Sequence, residues 1–141
     1  MDGSAILRHL AAADIDIAAA IPIDAEPPRL TCDILARGVQ LPAMRFWKVS
    51  SVDHRPLSGG ATRRVTQRIQ AEIHARDVPQ AKALLKLLRR ACDRPYIAAL
   101  LGLSKVSVLT DGEGPEGFSP ATEGRVVTQD FRVSYNEVRN A

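Results

Sequence analysis

Apolar residues in this chain recur with two different periods. Near the N-terminus Ile6, Leu7, Leu10 and Ala11 repeat at helical spacing behind Ser4, a helix-capping residue type, and predict a helix over 4–13. Residues 14–23 either extend it or add a second turn before Pro22. Glu26-Pro27-Pro28 suits neither helix interior nor central strand, so 24–30 is predicted as loop. A short strand over 31–36 is closed by Arg37-Gly38, and Pro42 opens a longer one over 43–52. After turn chemistry at 53–60, period-2 alternation runs from 62 to 75. Val65, Ile69, Ala71, Ile73 and Ala75 face one way; Arg64, Thr66, Arg68, Gln70, Glu72 and His74 face the other. Gln67 is a polar exception on the apolar side. These two strands predict a long antiparallel hairpin.

Asp77 and Gln80 stand at capping-box spacing with Pro79 in the first turn, and Ala81, Leu84, Leu85, Leu88 and Ala91 form one stripe. A helix over 77–93 follows, its basic residues late, where the helix dipole favours them. Residues 96–103 read as an apolar connector or short helix, 105–109 as a strand, and the acidic, Gly/Pro-rich segment 111–124 as a long loop. The last strand, 125–135, puts Val127, Phe131, Val133 and Tyr135 on one face. The expected architecture is a single α+β domain spanning 1–141: a helical region at 1–23, loop and short strand at 24–41, the hairpin at 42–76, the helix at 77–93, and two strands with their loop at 104–135. Its antiparallel sheet has about four strands, packed by the amphipathic helix and the N-terminal helix.

Composition changes this picture little. The 141 residues make one domain, and 45% apolar with 25% charged residues is the balance of a globular protein. Aromatics are only 4%, so aliphatic and alanine side chains must fill the core. The chain shows neither a signal-peptide pattern nor an apolar run near the roughly 20 residues of a spanning helix, which predicts a soluble protein. Cys32 and Cys92 read as reduced thiols, since two cysteines make no disulfide framework and no zinc-ligand spacing is present.

Candidate chemistry is sparse. His9, His54 and His74 lack ligand partners at suitable spacing, and Asp53-His54 are chain neighbours that cannot easily aim at one metal. Ser58-Gly59-Gly60 lacks the glycine flanks of a nucleophile elbow. In GEGPEG, Pro115 removes a backbone donor and Glu113 and Glu116 repel an anion, which argues against a phosphate cradle. Cys92 sits at the wrong helix end for a reactive thiolate. No cofactor is implied.

Charge is more informative. The net +3 hides segments of opposite sign: 1–36 sum to −4, 37–76 to +6, 77–95 to +3 and 96–141 to −2. The basic hairpin 37–76 permits a nucleic-acid reading, but Phe46 and Trp47 are its only stacking candidates. A solvated or subunit-facing surface is the better reading.

The order of segments supplies a further expectation. Leu41-Pro42-Ala43 leads a strand ending Val49-Ser50-Ser51; RRVTQRIQ at 63–70 begins a strand ending His74-Ala75; VPQAKALLKLLRRA follows at 78–91. A Gly-rich acidic loop then precedes DFRVSY at 130–135. Together they resemble the tail-completion, or tail-terminator, proteins of long-tailed phages, prophages and gene-transfer particles, over nearly the whole chain. That resemblance implies a non-enzymatic virion protein: a homo-hexameric ring that caps the tail tube, ends its polymerisation and provides the head–tail joining surface. Its implied partners are further copies of itself, the major tail tube protein and the head–tail connector or stopper. DNA would pass through the lumen without specific binding, and no membrane is involved. The implied place is the head-proximal end of the virion tail, assembled in the host bacterial cytoplasm. Candidate interface residues are His54, Arg55, Arg63, Arg64, Arg68 and Glu72 on the hairpin, with Asp111, Glu113 and Glu116 on the acidic loop. The arginines are expected to meet acids of a neighbouring subunit or of the tube, since opposite-signed regions suit a head-to-tail contact.

Overall fold

In the computed structural model, which describes residues 2–54 and 62–138, three helices pack against a curled seven-stranded sheet. The chain begins with α1 (Gly3–Ala13) and α2 (Ile15–Ala20), followed by β1 (Leu30–Thr31), β2 (Ala43–His54) and β3 (Thr62–Ala75). Then come α3 (Val78–Cys92), β4 (Arg94–Leu100), β5 (Leu103–Glu113), β6 (Gly117–Ser119) and β7 (Gly124–Val138). The strand order is β1-β2-β3-β7-β5-β4, with β6 added to β7.

This corrects the expectation of a four-stranded antiparallel sheet. About 49% of the described residues are in strands and 25% in helices, and the sheet curls into a half-barrel. It is also mixed, because β1 pairs parallel to β2. Three segments account for the difference. The 96–103 connector is mostly strand β4 and its turn into β5. The expected 111–124 loop is largely strand: β5 runs on to Glu113, and β6 pairs antiparallel with the start of β7. The expected strand over 31–36 shrinks to Leu30–Thr31. The middle of the 53–60 turn, with Arg55, lies outside the described residues.

The helices start where short acids can cap them. Asp2, not Ser4, caps α1, accepting from the backbone N–H of Ser4 and Ala5 at 3.0 and 3.4 Å. Asp14 caps α2, which resolves the ambiguous 14–23 stretch into a separate short helix. Asp77 caps α3 through the Gln80 N–H at 2.8 Å, while the Gln80 side chain accepts the N–H of Arg76 rather than that of Asp77.

One sheet face carries the core. Ile69, Ile73, Phe131, Val133 and Tyr135 meet Ile6 and Leu7 of α1 and Leu84, Leu85 and Leu88 of α3. Burial pushes the Tyr135 phenol up to about 12 and the Cys92 thiol to the same region, which keeps both neutral. Gln67, the exception in the alternation, is buried and its Oε1 accepts the Gly3 N–H at 2.7 Å. The close approach needs glycine, because a Cβ there would lie 2.9 Å from Gln67 Oε1. No described helix is long and apolar enough to cross a membrane.

Arg29 closes the N-terminal layer. It is buried, and its guanidinium donates to the Pro42 carbonyl at 3.2 and 3.0 Å and to the Ala20 carbonyl at 3.4 Å. Its own carbonyl accepts from Met44 N–H at 2.7 Å, where β1 joins β2. Burial lowers its pKa from the ordinary arginine value, and the Arg76 charge adds to this. Replacing Arg29 with Ala leaves these carbonyls without their donor and is expected to cost about 1–3 kcal/mol. Urea unfolding should show a lowered midpoint with unchanged slope; a midpoint equal to wild type would refute the role.

Candidate interface on the outer sheet face

Residues directly opposite in an antiparallel pair share a face, so the register of β2, β3 and β7 assembles the surface away from the helices. Arg45, Trp47, Ser50, Val52 and His54 of β2 stand beside Glu72, Gln70, Arg68, Thr66 and Arg64 of β3. On the other side of β3 lie Thr128, Asp130, Arg132, Ser134 and Asn136 of β7. The alternation that sequence reasoning assigned to this face is thus observed. What it missed is how the face spends its charges.

Nearly every predicted interface residue already has a partner in its own chain. Arg68 pairs with Asp130, whose side chain is only 4% exposed, and Gln70 donates to the other oxygen of that carboxylate at 3.2 Å. Hydrogen bonding to Asp130 raises the Arg68 pKa further. Arg63 pairs with Glu137 and, at 3.1 Å, with Asp53. Arg64 meets no acid among the described residues: it donates to the Lys105 carbonyl at 2.8 Å and to Asn136 Oδ1 at 3.2 Å. His54 lies opposite Arg64 and is exposed. The acids expected on a projecting loop are also engaged. Glu113 pairs with Arg89 of α3, Glu116 with Lys82 of α3, and Asp111 stands 3.8 Å from Arg132.

Asp130 is the residue that sequence reasoning missed. In the sequence it is only the first letter of DFRVSY, and its burial under Arg68 depends on a cross-strand pairing of residues 62 apart. The consequence is practical. Arg68→Glu would set a second carboxylate against a buried one, so this variant tests folding rather than assembly.

Glu72 anchors a second cluster. Its carboxylate accepts from His74 Nε2 at 3.1 Å and Arg45 Nη1 at 2.9 Å, and His74 Nδ1 meets the Thr122 hydroxyl at 2.9 Å. An ionised Glu72 only accepts, so Nε2 carries a proton. Arg45 also stands over the Trp47 ring, 5.5 Å from its centroid. The Arg45 Nε is buried without a hydrogen-bond partner among the described residues. A hydroxyl, an imidazole and a carboxylate in a row have the order of a nucleophilic triad. Here the carboxylate is engaged by Arg45 and the hydroxyl is buried in the β6–β7 connection. The adjoining cleft holds about 170 Å³, below the roughly 300–1,000 Å³ of ligand pockets. The row ties that connection to β3. Among the described residues no cluster of three or more His, Cys, Asp or Glu is placed to hold a metal ion.

No family model and no curated protein matches the sequence.

The His74 hydrogen bond, followed by the Arg45 charge, holds the Glu72 carboxyl below its ordinary value of 4.5 despite partial burial. The stabilisation is therefore full above pH 4.5 and disappears as pH falls through the lower folded-state pKa. Glu72→Gln should cost about 1–2 kcal/mol at pH 7, and this difference should shrink as pH falls through the lowered folded-state pKa of Glu72. Denaturant midpoints of both proteins across pH 3–7 measure it, and a gap independent of pH would contradict the assignment.

Proposed function

We propose that this chain is a structural subunit that assembles into a homo-hexameric ring on the head-proximal end of a phage-type tail tube. There it stops tube growth and presents the surface to which the head connector or stopper attaches. The observation that carries this reading is the open half-barrel: a curled sheet with helices on one face, whose outer edges at β4 and along most of β2 pair with no strand among the described residues. Open sheet edges and a polar face whose charges are paired within the chain suit assembly with other surfaces. The order of segments that resembles tail terminators gives that assembly its partners: further copies, the major tail tube protein and the connector. DNA would traverse the lumen without sequence recognition. The basic hairpin supports a dedicated nucleic-acid site less well, because Arg45, Arg63 and Arg68 are engaged by acids of the same chain.

The decisive experiment adds purified protein to polymerising tail tube subunits. Negative-stain images should show six-fold rings seated on tube ends, and tube length should stop increasing. Tubes that keep growing with bare ends would sink the reading. Salt-dependent DNA binding lost on substitution of Arg64 would favour the nucleic-acid alternative.

A further inference from the structure

We draw no further inference here: the strongest candidate, the cleft of about 170 Å³ between the β1–β2 connection and the Glu72–His74–Thr122 row, belongs to the cluster already described, and nothing in the structure shows what fills it.

Discussion

The pairing of β3 with β7 is the constraint on which the molecule depends. Fourteen consecutive residue pairs, from Thr62 with Val138 to Ala75 with Arg125, run without a register shift. Because side chains alternate, slipping β3 by one residue against β7 would turn Ile69 and Ile73 toward solvent and bring Arg68 into the core. The helices reinforce this register. Gln67 reaches from β3 to the first N–H of α1, and Arg89 of α3 donates to Gln129 of β7 at 2.8 Å. The irregularities lie elsewhere: in β2 between Lys48 and Ser50, in β4 between Arg94 and Ile97, and in β5 on both sides of its middle. The central pair is regular and its neighbours absorb the curvature, as bulges do in curled sheets.

That distribution explains what was legible beforehand. The 62–75 strand alternates because one face is fully covered and the other is not, and α3 declares itself through Asp77, Gln80 and a five-residue apolar stripe. β4 carries no such signal. It is an edge strand with Pro95 near its start and Ala98-Ala99 in its middle, mostly exposed, so neither alternation nor an apolar run marks it. β6 and the end of β5 are written in glycine, proline and acids, residues that ordinarily spell loops. They are strands because β7 offers them an edge, which is a tertiary fact. The outward direction of Arg64, Arg68 and Glu72 was likewise readable from local period. Their partners Asn136, Asp130 and Arg45 were not, since cross-strand neighbours depend on register.

The opposed charges of the four segments acquire a different meaning in this light. Acidic residues of the N-terminal segment, Asp14 and Asp16, meet Arg90 of α3 at 3.4 and 2.7 Å. Acids near β5 and β6 meet Arg89 and Lys82 of the same helix. The basic helix lies between two acidic segments, and the basic hairpin finds acids in Asp130 and Glu137. Segments of opposite sign therefore meet inside the subunit first. Most of these pairs are exposed and individually contribute little, so they bias the orientation of α3 rather than hold it; the apolar stripe does that. Asp130 differs because its carboxylate is buried, and losing Arg68 would strand that charge.

In the proposed ring, self-association would draw on what internal pairing leaves free. Exposed apolar side chains are spread over the surface, with Ile15, Ile34, Tyr96 and Val138 the most open among the described residues. Apolar contacts are insensitive to salt, whereas a ring held by arginine–carboxylate pairs would weaken as ionic strength rises. The folded arrangement favours the former, because breaking Arg63 or Arg68 away from its own partner would cost what a new partner returned. Charge complementarity between copies would thus be reduced to steering.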